Sequence, residues 1–346
     1  MKALVNLGNG KIEVQDVPKP QIQNSTDVLV RITNTTICGS DVHIVRGHLP
    51  TQPPHLLGHE FVGVVEEVGS AVTRFKPGDR ISGPSSPYCR VCENCRRGKI
   101  QICKNTGIFG AGPTMGNLGG AHAEYLVVPF ADSNLVKTPD CVSDEQALFV
   151  GDILTTGYYG IKNAGLGIGE NVVVAGAGPV GLCSIHTAPL FGPANIIAID
   201  ILPNRLEMAK KMGATHVING KEENVVERVR ELTSGRGPDL VVDAAGVYAA
   251  LMQAFEYVAD RGRISILAGV VTPMEIPMGN VFFKCLTIYG GLGDLTHMQT
   301  MMDLIEANKL DCTPLITHRT TLTDVVDAFN VFAEQRDGVL KVLVKI

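Results

Sequence analysis

Val172-Val173-Val174-Ala175-Gly176-Ala177-Gly178-Pro179-Val180-Gly181 is the stretch that sets the fold. Four apolar residues read as a buried strand, and G-x-G-x-x-G follows at once and opens a helix. The three glycines have separate jobs: Gly176 makes the tight turn, Gly178 lets backbone approach a pyrophosphate, and Gly181 lets helix and strand pack closely. The helix N-terminus then presents unpaired N–H groups and a positive dipole to phosphate. Asp200 stands 19 residues past Gly181, at the end of the next apolar run. A carboxylate there accepts from ribose hydroxyls and repels a 2′-phosphate, so the pattern favours NAD over NADP. Gly176, Gly178, Pro179, Val180, Gly181 and Asp200 are the candidate cofactor contacts. Arg205 either stacks on adenine or tolerates a 2′-phosphate. The plain alternative is a glycine-rich turn beside an exposed aspartate.

Downstream, strand and helix patterns alternate. Ile196–Ile199, Val217-Ile218, Leu240–Val242 and Arg263–Leu267 read as strands, with a helix through Arg205 to Met212 between the first two. That order belongs to a doubly wound parallel sheet. Upstream the chain reads as short strands, Val28–Ile32 and Phe61–Val68 among them. Turn signals recur at Lys76-Pro77-Gly78-Asp79, Gly83-Pro84 and Gly110-Ala111-Gly112-Pro113. This first part suggests a partly open, β-barrel-like module. Ser143 and Gln146 form a capping box where the character changes. Near the end, Met298, Met301, Met302 and Ile305 fall on one helix face, and Thr321 with Asp324 reads as a second capping box before Val325.

A chain of 346 residues is long for one core, so two domains are expected. A net charge of −5 argues against nucleic acid or an anionic membrane as partner. The N-terminal residues hold no stretch apolar enough for an export signal, and the apolar window Val172–Leu190 is broken by glycines, prolines and His186. Of nine cysteines, four cluster and five are scattered. The odd count and missing signal fit a reducing cytoplasm better than a disulfide scaffold.

Cys89, Cys92, Cys95 and Cys103 form C-x2-C-x2-C-x7-C, a spacing that suits one closed tetrahedral thiolate site. Four thiolates complete a zinc shell, so such a metal is structural. Two disulfides or a lobe of free thiols are the alternatives. Cys38, the pair His59-Glu60 and Asp152 offer a second, mixed set. Thiolate, imidazole and carboxylate together leave a metal Lewis-acidic and able to hold an exchangeable ligand.

Gly58-His59-Glu60 heads G-H-E-x2-G-x5-G, with Gly63 and Gly69 in place; Cys38-Gly39-Ser40-Asp41-Val42-His43 precedes it and Gly151-Asp152-Ile153-Leu154-Thr155-Thr156-Gly157 follows. With the four-cysteine lobe and the late glycine fingerprint, these motifs resemble the zinc-dependent medium-chain alcohol dehydrogenases over essentially the whole chain. The resemblance implies an α/β protein with a GroES-like catalytic domain over 1–153 and 292–346, carrying a zinc lobe at 89–103. A Rossmann NAD-binding domain over 154–291 completes it. It implies two zinc ions per chain: a catalytic one on Cys38, His59 and Asp152, with Glu60 binding transiently during ligand exchange, and a structural one on the four cysteines. Aspartate as third ligand resembles microbial secondary alcohol dehydrogenases and carbonyl reductases. A small alcohol or ketone is then the substrate. Ser40 takes the alcohol proton and passes it, through the cofactor ribose, to His43, while hydride goes to the nicotinamide. A solvated loop histidine is the alternative for His43. His48, His55, His122, His186, His216, His297 and His318 read as structural or surface residues.

By the same resemblance Phe109 is a candidate wall of the substrate pocket, and Gly293 leaves room for a bulkier ketone. No cluster of basic residues marks an anionic substrate. A homo-oligomer is implied, a tetramer before a dimer. The rival activities are polyol, 2,3-butanediol or threonine dehydrogenase. Further off stand formaldehyde dehydrogenase, whose extra insertion this length leaves little space for, and a non-enzymatic NAD-binding protein, which predicts lost ligands.

Overall fold

A computed structural model describes residues 1–269 and 273–346. The fold divides into two compact units, Met1–Asp152 with Asp294–Ile346, and Ile153–Gly293. The joints expected after 153 and before 292 fall one and two residues from these.

The second unit is built on a six-stranded, wholly parallel sheet. Its strands lie in the order His216–Asn219, Asn195–Asp200, Asn171–Ala175, Leu240–Asp243, Arg263–Ile266, Thr287–Gly290. Val172, Val173 and Val174 are fully buried in its centre. Helices cover both faces of such a sheet, so its inner strands read as continuous apolar runs without alternation. Strand order reverses direction between Asn171–Ala175 and Leu240–Asp243, and ligands of doubly wound folds bind at that crevice. The helix Pro179–Thr187 starts there, with Gly178 as N-cap and Pro179 at its first position. It packs on the helix Ile153–Asn163 at close range: a Cβ on Gly157 would lie 2.6 Å from the Ser184 backbone nitrogen.

The first unit carries a seven-stranded sheet. Val28–Thr36 pairs antiparallel with Phe61–Val68, with Tyr125–Val128 and with the C-terminal strand Lys341–Lys345. The tail thus closes the module that the N-terminal strands open, as expected. Leu4, Ile37, Leu57, Phe329 and Val342 fill one core, and Val30, Ile32, Phe61, Ile81 and Leu126 fill a second. Ser143 caps the helix Asp144–Ala147 and exchanges hydrogen bonds with Gln146, as its spacing predicts. The second capping box does not form. Thr321 ends the strand Ile316–Thr321 and gives its hydroxyl to Asp324 at 2.8 Å, and Asp324 becomes the N-cap residue of Val325–Ala333. Sheet pairing keeps Thr321 in the strand, so the cap falls three residues later, with the Asp324 N–H donating to the Thr321 carbonyl at 3.2 Å. No helix among the described residues is long and apolar enough to cross a membrane.

Candidate active site

Three separated segments bring the mixed donors together. Cys38 is the N-cap residue of the helix Gly39–Val45. His59 and Glu60 sit just before the strand Phe61–Val68, after a left-handed Gly58 (φ +93°). Asp152 follows a short helical turn, Leu148–Gly151. One donor atom each from Cys38, His59, Glu60 and Asp152 lies within 4.8 Å of the others.

Buried groups orient these donors. Asp41, fully buried one turn after Cys38, turns Oδ1 to His59 Nδ1 at 3.3 Å and accepts the Cys38 N–H on Oδ2 at 2.9 Å. That arrangement leaves His59 Nε2 for a metal, since a carboxylate on one ring nitrogen fixes the other as the ligand. Nε2 lies 3.4 Å from Asp152 Oδ2 and 3.2 Å from Ser40 Oγ. Ser85 donates to Asp152 Oδ1 at 3.1 Å. Glu60 is fully buried; its Oε1 meets Lys341 Nζ at 2.5 Å and its Oε2 has no hydrogen-bond partner among the described residues.

The electrostatics favour a cation here. Burial alone would lower the His59 pKa, yet Asp41, the Cys38 sulfur and Asp152 raise it well above 6.5. Burial would raise Asp41, but His59 and His122 hold it well below the usual carboxylate range. Burial pushes the Glu60 carboxyl up, against the pull of Lys341. Lys341, buried on all sides, is held above its ordinary value by Glu60, Cys38 and Asp152. A buried excess of anionic donors with one carboxylate oxygen unsatisfied is a donor set that fits a divalent zinc ion.

The cysteine lobe differs. Its Sγ atoms also lie within 4.8 Å of one another, with Cys89–Cys95 at 4.0 Å and Cys92–Cys103 at 3.9 Å. A tetrahedron with bonds of about 2.3 Å has edges of about 3.8 Å. Disulfide sulfurs would stand at about 2.05 Å, so the disulfide alternative is out and all four thiols are free. Backbone N–H donors, that of Lys104 foremost, bring the Cys92 thiol down to about 6, whereas burial pushes Cys95 up to about 12.

In the parallel-sheet unit the three glycines are accounted for. Gly176 has φ +92°, and a Cβ on it would press on Ala244 and Ala245. A Cβ on Gly181 would strike the Gly176 carbonyl. Gly178 faces open space, with only Arg205 Nη1 within 4 Å of where its Cβ would stand. Asp200 turns inward to this loop: Oδ2 accepts the Ala177 N–H at 2.8 Å, and Oδ1 accepts from Ile201 and Leu202 at 2.7 and 3.0 Å. Arg205 Nη1 stands 3.6 Å from Oδ2.

Known proteins share this arrangement. A family model described as alcohol dehydrogenase GroES-like domain matches residues 24–140, and one described as zinc-binding dehydrogenase matches 179–307. An alcohol dehydrogenase of Cupriavidus necator is 38% identical across all of this chain and 98% of its own. The chain belongs to the zinc-type alcohol dehydrogenases. The solved alcohol dehydrogenase TADH from Thermus sp. ATN1 superposes on this dehydrogenase with a TM-score of 0.95 at 40% identity, covering 100% of this chain and 99% of that one. An L-threonine 3-dehydrogenase of Rhizobium etli is 34% identical over 98% of this chain and 97% of its own. The dehydrogenase is an oxidoreductase acting on alcohols with a nicotinamide cofactor, and zinc is its metal.

The two expected pocket residues are placed as follows. Phe109 is fully buried, edge-on to Phe61 with ring centroids 5.7 Å apart, within the second core of the first unit. Gly293 is half-buried, and a Cβ on it would stand 3.1 Å from the Thr156 Cβ. His43 is exposed in the last turn of its helix, with Nδ1 at 2.9 Å from His48 Nδ1. Four residues of the site escaped the sequence: Asp41, Thr35, His122 and Lys341. Asp41 lies inside the Cys38–His43 motif and Thr35 three residues before Cys38; His122 and Lys341 are distant in sequence and carry no local signal.

Proposed function

We propose that this dehydrogenase interconverts secondary alcohols and ketones with NAD(H), using a catalytic zinc held by Cys38, His59 and Asp152, with Glu60 in reserve. The observation that carries the reading is the convergence of thiolate, imidazole and carboxylate donors, with a serine hydroxyl 3.2 Å from His59 Nε2. When bound, zinc supplies Lewis acidity toward a substrate oxygen and the nicotinamide exchanges the hydride. The chain's residues do the rest. Ser40 receives the alcohol proton, and His43 carries it toward solvent. Asp41 and Ser85 orient His59 and Asp152. Lys341 holds Glu60 away until a ligand exchanges.

Asp200 supports NAD over NADP, because a buried carboxylate facing the glycine loop repels a 2′-phosphate; Arg205 neutralises part of that charge. The four cysteine sulfurs, spaced as a zinc tetrahedron requires, support a second, structural ion. A homo-oligomer is supported by the terminal position of the strand Thr287–Gly290 in its sheet and by Phe282 and Phe283 before it, 75% and 83% exposed; the family resemblance favours a tetramer before a dimer. None of the nine cysteines forms a disulfide, which supports a reducing cytoplasm.

Zinc content per chain, with NAD+ and NADP+ reduction on 2-propanol, 2-butanol, 2,3-butanediol, sorbitol, threonine and formaldehyde, tests the reading. About two zinc ions and fastest NAD+ reduction on simple secondary alcohols are expected. A threonine preference, as the Rhizobium relative's name suggests, would keep the chemistry and move the substrate.

A further inference from the structure

His122 supplies no donor to either metal cluster, yet its ring is fully buried beside one of them. Its backbone is fixed from both sides: its N–H donates to Leu57 at 2.9 Å, and its carbonyl accepts from Leu4 at 2.8 Å. From there the ring reaches three segments of the mixed site.

The first contact is steric. Gly58 precedes His59 in the left-handed region, and a Cβ on it would lie 2.7 and 2.8 Å from two ring carbons of His122. The ring and backbone of His122 therefore pack directly on Gly58, which precedes His59. The second contact is a relay of two hydrogen bonds. Thr35 donates its hydroxyl to the Glu60 carbonyl at 2.7 Å and lies 3.1 Å from His122 Nδ1. A hydroxyl has one hydrogen, so Nδ1–H must be the donor to Thr35. The third is proximity to a carboxylate. Nε2 faces Asp41, whose Oδ2 stands 3.6 Å away, beyond hydrogen-bond length, and Nε2 has no hydrogen-bond partner among the described residues. That same Oδ2 accepts the Cys38 N–H, and the other oxygen faces His59.

One ring thus packs on Gly58, reaches the Glu60 carbonyl through Thr35, and faces the carboxylate that aligns Cys38 with His59. We propose that His122 is a positioning residue for the catalytic metal, holding the segments of Cys38, His59 and Glu60 in one register. It meets no reacting atom. The role rests on the ligand assignment proposed above.

The test is chelator-driven zinc release from the purified holoenzyme, followed with a colorimetric indicator. Cys38→Ser and Cys95→Ala assign the catalytic and structural phases. His122→Phe fills the space against Gly58 but offers nothing to Thr35 or Asp41. It should speed the catalytic phase about 10- to 100-fold, the usual cost of losing an outer-shell partner, and leave the structural phase alone. His122→Asn keeps a donor for Thr35, and Thr35→Val removes that bridge only; both should fall between. The thiolate-to-cobalt band of the cobalt-substituted enzyme should shift in the same order. Turnover should fall while the KM for NAD+ stays.

An unchanged catalytic phase in His122→Phe and Thr35→Val overturns the proposal. So does equal acceleration of both phases, which marks a general loss of structure. If His122→Phe does not fold, His122→Asn and Thr35→Val decide it by the same criterion. A wild-type enzyme with no Cys38-dependent phase would instead overturn the ligand assignment, and this role with it.

Discussion

The two candidate metal sites of this dehydrogenase are built on opposite plans. The lobe draws four identical soft donors from 15 consecutive residues, Cys89 to Cys103. Its surroundings are slight: a small core of Tyr88, Cys89, Cys95 and Ile100, and N–H donors from Cys92 and Asn105 to the Cys89 sulfur at 3.3 and 3.4 Å. The mixed site takes unlike donors from residues 38, 59–60 and 152, and surrounds them with buried Asp41, Thr35, His122 and Lys341. The difference follows from what each cluster must do. Four thiolates need only proximity, because a closed tetrahedral shell holds itself. A mixed shell that leaves a position for substrate must be imposed by the protein, since the metal alone would rearrange it.

The contrast breaks first at a ligand. Asp152→Asn or Cys38→Ser should lower zinc by one per chain and abolish turnover, while NAD+ binding, followed by fluorescence of added NADH, stays near wild type. Retained turnover in either variant would remove that residue from the shell. Cys95→Ala should do the reverse: one zinc lost, turnover at 25 °C largely kept, and a large loss of thermal stability. Loss of a structural metal belongs with the few single changes worth more than about 4 kcal/mol. Equal losses of activity in the two sets would end the distinction between the clusters.

Lys341→Met sharpens it. The ammonium is fully buried, 2.5 Å from Glu60 and 3.1 Å from the Ile37 carbonyl. Removing it strands a buried carboxylate, and breaking such a pair from one side costs about 3–5 kcal/mol. Urea denaturation should show that loss, and adding Glu60→Gln should restore most of it. A single variant as stable as wild type would mean that the pair is not the counter-charge of the site.

The sequence showed the elements in which local chemistry dictates structure. Val172–Gly181 gave strand, turn and helix because each glycine is demanded by a positive φ or a close approach. Phe61–Val68 is a strand over the limits its β-branched residues predict. The cysteine lobe was legible because its ligands are adjacent. Partnerships that tertiary packing creates were not legible. His122 read as a structural or surface histidine, and nothing local marked Lys341; the fold sets the first against Gly58 and buries the second in the paired last strand. For Phe109 and Gly293, family position gave a neighbourhood, but not the packing of Phe109 on Phe61 or of Gly293 beside Thr156. Thr321 has the spacing of a cap, but the sheet claimed it first.

The smallest effect concerns the rim of the mixed site. His43 and His48 place Nδ1 against Nδ1 at 2.9 Å, close enough for a single shared hydrogen, with their rings 5.3 Å apart. Partial burial, then the charges of His48 and Arg46, hold His43 below its ordinary 6.5. The unfolded chain therefore binds more protons than the folded one just below pH 6.5. The contribution to stability is complete above that pH and is lost as pH falls through it. Both rings are exposed, so the effect on melting is small and screened. Protonation of zinc ligands also lowers stability in acid, so melting of the wild type alone would not isolate the histidines. His48→Asn separates the two. It leaves every candidate metal ligand in place and removes the facing ring with its charge and shared hydrogen. The His43 ring midpoint, read by histidine NMR, should start below 6.5 and move up toward it, and the melting temperature should fall less between pH 7 and 5.5. Arg46→Gln should shift the midpoint the same way by less. A His43 midpoint that ignores both substitutions would show that this histidine is insulated from its neighbours, and that its proton leaves by another route.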